Sequence, residues 1–77
     1  MIIRELKTKY DSRKSFYHKA IEIYHGLNIS LVSYDTVICT IKKNGKLVME
    51  CDLSDMSVTT KRHFREFCKQ HSHRIEE

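Results

Sequence analysis

The sequence has no proline, no tryptophan and only two glycines, and three cysteines is an odd number for a chain of 77 residues. Small secreted domains usually depend on an even, dense set of disulfide-bonded cysteines, whereas a sparse, odd set is typical of reducing compartments. The low content of glycine and proline also argues against a loop-rich, disulfide-linked scaffold. We therefore expect a cytoplasmic protein whose cysteines stay reduced and form no disulfide.

The sequence also lacks a long apolar run. No segment approaches the roughly 20 apolar residues that cross a bilayer, and the opening residues do not resemble a signal peptide. Apolar residues make up 40% of the chain, which is enough for a small core and argues against disorder. These features predict one domain over residues 1–77 without a membrane segment. Within it, segment 1–13 could be mobile and the tail 72–77 is expected to fray.

Alternating apolar and polar residues predict four antiparallel strands, near residues 14–25, 28–34, 36–43 and 46–53. The opening segment 1–13 is too short to decide between helical turns and an extended arm. Asn44-Gly45 predicts a hairpin, and a three-residue loop over 43–45 places Ile41 opposite Leu47 on a continuous apolar face. The same loop puts Cys39 opposite Met49, Val37 opposite Cys51, and Gly45 at a left-handed position.

After Leu53 the spacing of apolar residues changes from every second residue to that of a helix. We expect a helix near residues 58–71 with Ser57 as its N-cap. Phe64, Phe67 and Cys68 recur at helical spacing and define its apolar stripe. The fold class is therefore α+β, a four-stranded antiparallel meander with one C-terminal helix packed on one face. The expected core consists of Ile21, Ile23, Leu31, Val37, Cys39, Ile41, Leu47, Met49, Cys51, Phe64, Phe67 and Cys68.

Three segments of the chain carry a recognisable pattern: 15–20 (SFYHKA), 31–37 (LVSYDTV) and 59–67 (TTKRHFREF). They resemble a family of small, uncharacterised proteins encoded in phages and integrative mobile elements of Gram-positive bacteria. The resemblance implies a genetic setting and no particular activity. The family has a small residue, such as glycine, at the position of His18, so we expect the first strand to pack differently here.

Neither a metal site nor a catalytic site is predicted. Cys68 and His71 share a helix face, and His63 or His73 could join them, but no second pair has the spacing of zinc ligands. A cysteine nucleophile would need a positioned base, an orienting group and an oxyanion hole, and Cys68 lacks the last two. We therefore expect a protein that is not an enzyme and has no metal or cofactor.

A surplus of aromatic side chains predicts a protein-binding surface on the sheet. If the helix covers one face, the aromatic residues share the other, and aromatic residues often anchor interfaces. The expected partner-binding residues are Phe16, Tyr17, Tyr24 and Tyr34. This face would meet segment 1–13, a second copy in a homodimer, or a foreign protein. We favour an intracellular protein that binds and modulates a host protein, such as one that handles nucleic acid or acts in defence.

The alternative is a nucleic-acid-binding accessory protein that uses the basic helix 58–71 and the basic-aromatic segment 7–19. Lys61, Arg65 and Lys69 repeat every four residues and form one ridge on the helix. The expected polyanion-binding residues are Lys61, Arg62, Arg65, Lys69, Lys14 and Lys19. A net charge of +4 is modest for a dedicated DNA or RNA binder, and Glu66 interrupts the basic helix. These two points make a protein the preferred partner.

Overall fold

The computed structural model describes residues 1–75 and confirms the α+β class, an antiparallel sheet with one C-terminal helix. The described sheet has five strands rather than four: β1 (Ile2–Glu5), β2 (Ala20–His25), β3 (Asn28–Ser33), β4 (Thr36–Ile41) and β5 (Leu47–Met49). They lie in the order of the chain, each antiparallel to the next, so the meander is confirmed. A 3₁₀ turn (Leu53–Asp55) then leads into helix α1 (Val58–Gln70).

Helix α1 begins where the sequence predicts. The Ser57 hydroxyl accepts a hydrogen bond from the Thr60 backbone N–H at 3.1 Å, which confirms Ser57 as the N-cap. Beyond the helix, the Arg74 and Ile75 backbone N–H groups donate to the His71 carbonyl oxygen, and the Arg74 side chain donates to the Leu27 carbonyl oxygen at 2.7 Å. Residues 72–75 are thus anchored, and the rest of the tail expected to fray lies outside the described residues.

The hairpin between β4 and β5 has the predicted three-residue loop. Lys42 pairs with Lys46 through a backbone hydrogen bond of 2.9 Å, and Ile41 lies opposite Leu47. Gly45 has a φ of 89°, the left-handed conformation that favours glycine. The Asn44-Gly45 signal therefore fixes this register correctly.

The opening segment is extended, and it adds a strand that the sequence left undecided. Ile3 pairs with Ile23 on β2. Residues 14–19, predicted as the start of the first strand, form a turn instead, in which Tyr17 and His18 have φ values of 53° and 64°. Left-handed backbone is incompatible with strand pairing. His18 therefore occupies a conformation that glycine adopts freely.

The two faces of β2 are the reverse of the prediction. Ala20 and Glu22 are buried against α1, whereas Ile21 and Ile23, expected in the core, lie on the face that α1 does not cover. Alternation of period two separates the two faces of a strand, but it does not say which of them is buried.

Glu22 is buried because it is paired. Its carboxylate is hydrogen-bonded to the His71 imidazole Nε2 at the end of α1, and the Arg4 guanidinium Nε lies 3.9 Å from its Oε1. The Tyr24 hydroxyl donates to the same carboxylate at 3.4 Å and accepts from Arg4 at 2.9 Å. A buried carboxylate is tolerated where its charge is matched and its oxygens are hydrogen-bonded.

A β-bulge in β4 changes which side chains face the helix. Leu31 pairs with Cys39 but Val32 pairs with Val37, so Ile38 is an extra residue in β4. Ile38 is buried, whereas Val37, expected in the core, is exposed.

The core lies between the sheet and α1. Its buried apolar residues are Leu6, Phe16, Ala20, Ile29, Leu31, Ile38, Cys39, Ile41, Met56 and Phe67. Of the predicted core, Leu31, Cys39, Ile41 and Phe67 are confirmed as buried, and Leu47, Cys51, Phe64 and Cys68 pack against it half-buried. Ile21, Ile23, Val37 and Met49 are not part of it. Met49 is exposed because β5 ends there, so the expected pairing of Val37 with Cys51 does not form.

Candidate functional site

Residues 7–13, which we call the basic loop, run antiparallel to α1 along its outer side. At one end the Gln70 side chain donates to the Lys7 carbonyl oxygen at 2.5 Å. Further along, the Arg62 guanidinium contacts the Asp11 carboxylate at 3.0 Å. Arg13 reaches the first turn of the helix, where it lines a pocket together with Thr59. The structure thus brings together two basic segments that lie about 50 residues apart in the sequence.

Glu66 holds the basic loop in place. Its carboxylate, which is 2% exposed, accepts hydrogen bonds from the backbone N–H groups of Lys9, Tyr10 and Asp11 at 3.0, 3.1 and 2.7 Å. The Gln70 amide donates a further bond at 2.6 Å. Burial alone would raise the pKa of Glu66, but the hydrogen bonds from Gln70 and the three backbone N–H groups outweigh it and lower that pKa below its ordinary value. Glu66 therefore stays charged, and its charge is directed inward.

Exposed cations surround the docked loop. None of them forms an ion pair within the part of the chain that the structure describes. They are Lys7, Lys9, Arg13, Lys14, Lys19, Lys61, Arg65 and Lys69. Arg65 and Lys69 line a depression with Tyr10, whose ring is exposed. We call this set of cations, together with Tyr10, the basic surface.

The basic surface continues into a small pocket at the start of α1. The pocket has a volume of about 140 Å³. Its lining residues are Arg13, Ser15, Phe16, Tyr17, Lys19, Tyr34, Thr59 and His63. The Lys19 ammonium lies 5.8 Å from the centre of the Tyr34 ring, within the range of a cation–π contact. We call this the basic-aromatic pocket, because cations and partly exposed tyrosines meet there.

The floor of the basic-aromatic pocket is a buried polar network. The Ser33 hydroxyl is 2.7 Å from His63 Nδ1 and 3.1 Å from the Thr60 hydroxyl. The Phe16 ring packs on the His63 imidazole with 4.5 Å between ring centres. Burial lowers the pKa of His63 below 6.5, so the ring is neutral at neutral pH. Ser33 is itself buried within this network, so the Ser33–His63 pair orders the pocket and offers no accessible nucleophile.

Two tyrosines at the rim have strained backbones. Tyr17 and Tyr34 have φ values of 53° and 57°, in the left-handed region that bulky residues rarely occupy. Each such residue costs roughly 1–3 kcal/mol and persists where neighbouring contacts hold it. Here the Tyr17 N–H donates to the Ser15 hydroxyl at 2.8 Å and the Tyr34 N–H to the Lys19 carbonyl oxygen at 2.7 Å. Strain of this kind clusters at functional sites.

The predicted aromatic face of the sheet does not form. Phe16 is 4% exposed and belongs to the core, because residues 14–19 turn inward instead of continuing a strand. Tyr24 points toward α1 and is half-buried against His71 and Arg4. Tyr17 and Tyr34 are exposed, but they lie at the rim of the basic-aromatic pocket rather than on an open face.

The predicted polyanion-binding residues are better placed. Lys61, Arg65 and Lys69 are exposed along one side of α1, and Lys14 and Lys19 are exposed near the pocket. Arg62 is half-buried and paired with Asp11, so it helps to hold the loop. Sequence reasoning missed Glu66, Asp11 and His63, which organise this side of the molecule.

No group of three or more His, Cys, Asp or Glu side chains among residues 1–75 is arranged to hold a metal ion. The three cysteines are free thiols. Burial raises the pKa of Cys39 to about 12 and that of Cys68 to about 11, so neither is a ready thiolate at neutral pH. None of the helices in residues 1–75 is both long and apolar enough to cross a membrane.

Comparison with known proteins adds one assignment. Residues 4–77 match DUF8033, a family of unknown function. The chain belongs to this family. The match covers the basic loop, the basic-aromatic pocket and α1, so the whole candidate site lies within the matched residues. No curated protein and no solved structure matches the DUF8033 chain.

Proposed function

We propose that this chain is a non-enzymatic, intracellular binding protein whose partner is a nucleic acid, with single-stranded DNA or RNA the best fit. The observation that carries the proposal is the Glu66 carboxylate, which docks the basic loop against the basic side of α1. The resemblance to proteins of phages and integrative elements adds a proposed genetic setting and does not bear on the partner.

Glu66 is the residue that, in the sequence alone, weakens the case for nucleic acid. In the fold its charge is buried and bonded to backbone N–H groups, so the exposed ridge of Lys61, Arg65 and Lys69 is not interrupted by a carboxylate. The net charge of +4 is modest, but the cations gather on one side of the molecule. Local charge density governs attraction to phosphates more directly than net charge does.

The distribution of tyrosines favours a single strand over a duplex. Tyr10, Tyr17 and Tyr34 are exposed and each lies beside cations. Unpaired bases stack on aromatic rings while neighbouring Lys and Arg contact the phosphates, and this mode tolerates any sequence. A duplex would hide the base faces that these rings could contact.

The test is the affinity for a labelled oligothymidine, measured by fluorescence anisotropy over a range of salt concentrations. Three to four phosphate contacts should give a log–log slope of about −2 to −3, since each contact on a single strand contributes about −0.7. Lys69→Gln should make the slope less steep by about 0.7, the contribution of one phosphate contact. Lys43→Gln changes an exposed lysine on the β4–β5 hairpin and should leave the slope unchanged. Binding that is insensitive to salt, or equally reduced by both variants, would refute the proposal.

A protein partner is the second candidate, and one feature favours it. Leu53, Phe64 and Cys68 form the apolar floor of a shallow groove along α1, and Lys61, Arg65 and Lys69 line the same groove. An apolar floor with basic edges suits an acidic, amphipathic segment of a host protein, such as one that handles nucleic acid or acts in defence. Phosphates would make no use of such a floor.

The two candidate functions predict different effects of one substitution, at Leu53. Leu53→Asp places a charge on the groove floor and should abolish capture of a protein partner from nuclease-treated host lysate. It should weaken oligothymidine binding only in part, through the new carboxylate beside Lys61, Arg65 and Lys69. Leu27→Asp, at an exposed leucine in the turn between β2 and β3, is the matched control. A salt-resistant protein complex that is lost in Leu53→Asp and kept in Leu27→Asp would establish the second candidate over the first.

A further inference from the structure

The face of the sheet opposite α1 combines branched aliphatic side chains with polar ones. The polar ones are Glu5, His25, Asn28, Ser30 and Thr40. Alternation along the strands, fixed by their register, places one set of branched side chains on this face. The set consists of Ile3, Ile21, Ile23, Val32, Val37 and Val48. Ile3 and Val37 are exposed, and the other four are half-buried only by their neighbours in the sheet. We call this the open face. In a two-layer fold, the face turned to water normally carries polar side chains.

The polar atoms at the centre of the open face already have partners. The His25 Nε2 is 3.0 Å from the Ser30 hydroxyl, which is 2.8 Å from the Thr40 hydroxyl. Ser30 and Thr40 are already buried, so covering them would leave neither hydroxyl without a hydrogen bond. The centre of the open face can lose water at little cost.

No described part of the chain covers the open face. Helix α1 and the basic loop pack on the other side of the sheet, and Ile75, the last described residue, packs against the core on that side. The two remaining residues of this sequence, Glu76 and Glu77, are acidic, and their chemistry does not suit an aliphatic surface. Within residues 1–75 the open face therefore stays uncovered.

We propose that a second copy of this chain covers the open face, in a face-to-face homodimer. The charges at the ends of the face argue for self-association. Lys42 follows β4 at one end of the strands, and Glu50 follows β5 at the opposite end. By alternation both lie on the side of the open face. A two-fold axis lying between the sheets and running across the strands places Lys42 of each copy near Glu50 of its partner.

The area available matches a weak to moderate dimer. The five strands hold 25 residues, which at a rise of ~3.3 Å and a strand spacing of ~4.8 Å give a flat area of roughly 400 Å² on each copy. Two copies together bury about 800 Å² of flat area. The accessible surface buried is larger, because side chains project from each sheet. Stable specific interfaces bury at least about 1,000 Å². We therefore expect a dissociation constant in the micromolar range.

Ile2 and Ile3 provide a matched test. They are neighbours on β1, each is 62% exposed, and their side chains point to opposite sides of the sheet. Sedimentation equilibrium of the wild type at ~100 µM should give twice the 9.2 kDa mass of one chain. Ile3→Lys should weaken the dimer by about tenfold or more, because it forces a charge into an apolar interface, and Ile2→Lys should not. Circular dichroism of each variant checks that the fold is retained.

Charge exchange tests the orientation. Lys42→Glu and Glu50→Lys should each weaken the dimer, because each brings like charges together, and the double variant should restore it. Both positions are exposed. A wild type that is monomeric at ~100 µM, or equal weakening by Ile3→Lys and Ile2→Lys, would overturn the proposal. A double variant whose dimer is weaker than that of either single variant would overturn the proposed orientation of the two copies.

Discussion

Replacing Glu66 by glutamine should release the basic loop while keeping the shape of the side chain. In the wild type, Oε1 accepts from the Tyr10 and Asp11 N–H groups, and Oε2 accepts from the Lys9 N–H group and the Gln70 amide. Glutamine has only one side-chain carbonyl oxygen. If that oxygen takes the place of Oε1, the NH₂ group takes the place of Oε2 and faces the Lys9 N–H group and the Gln70 amide, which are donors themselves. The Lys9 N–H group then loses a bond to a charged acceptor, worth about 1.5–3 kcal/mol, and is left without a partner.

Together these losses predict a destabilisation of about 2–4 kcal/mol for Glu66→Gln. A domain of 77 residues has roughly 4–12 kcal/mol of stability, so the variant should still fold. Urea denaturation followed by circular dichroism gives the free energy of unfolding. Hydrogen exchange should show faster exchange at the amides of residues 9–11. Asp55→Asn, at an exposed carboxylate away from the basic loop and the open face, is the control and should change stability by less than about 0.5 kcal/mol.

The same substitution has a predicted pH dependence. The pKa of Glu66 is lowered in the folded state, so its contribution is fully present above its ordinary pKa of 4.5 and is lost as the pH falls through the lower folded value. The stability difference between wild type and Glu66→Gln should therefore be constant near neutral pH and shrink below about pH 4.5. A difference at pH 7 no larger than that of Asp55→Asn would show that the Glu66 carboxylate does not hold the loop.

Further predictions concern single residues. Ser57→Ala should cost about 1 kcal/mol in urea denaturation because it removes the N-cap of α1, and exposed Ser54→Ala is the control; equal costs would contradict the capping role. His18→Gly should stabilise the protein by about 0.5–1 kcal/mol, because glycine adopts the left-handed backbone at this position without strain. A loss of stability would show that contacts of the His18 side chain outweigh this strain. Because the pKa of His63 is lowered, the stability that its neutral form contributes is lost as the pH falls below 6.5, and His63→Gln should lessen that decline. Thiol titration of the unfolded, non-reduced protein should find three free thiols, with Cys39 blocked against alkylation in the native state.

Much of the fold follows from local signals in the sequence. Asn44-Gly45 determines a hairpin register within a few residues, and Ser57 caps a helix through its own hydroxyl. These features depend on neighbours in the chain, so pattern reading recovers them. The faces of β2 depend instead on Glu22, whose partner His71 lies 49 residues away. Nothing in the local sequence indicates that the Glu22 carboxylate is paired. The alternating pattern therefore predicts that Glu22 faces solvent and that its neighbours Ile21 and Ile23 face the core.

The candidate site was predictable in composition but not in arrangement. The basic ridge of α1 follows from the spacing of Lys61, Arg65 and Lys69 and is exposed as expected. The docking of the basic loop does not follow from any spacing, because Glu66 bonds to backbone N–H groups, which every residue carries. A carboxylate next to Phe67, on the buried side of the helix, is the one signal that could have marked Glu66 as buried.

The order of the strands sets the order in which the molecule can assemble. Each strand pairs with the next one along the chain. Short turns join β2 to β5, so this part of the sheet can form by adding hairpins, and such local pairing is fast. Strand β1 joins it through the longer segment 6–19. The contact between Glu66 and residues 9–11 joins positions 55 to 57 apart and needs both β1 and α1 in place. We therefore expect this contact to form late in folding and to open early in unfolding. Weakening it should speed unfolding and leave the folding rate unchanged, so the surface proposed to meet a partner is also the part of the molecule that opens most readily.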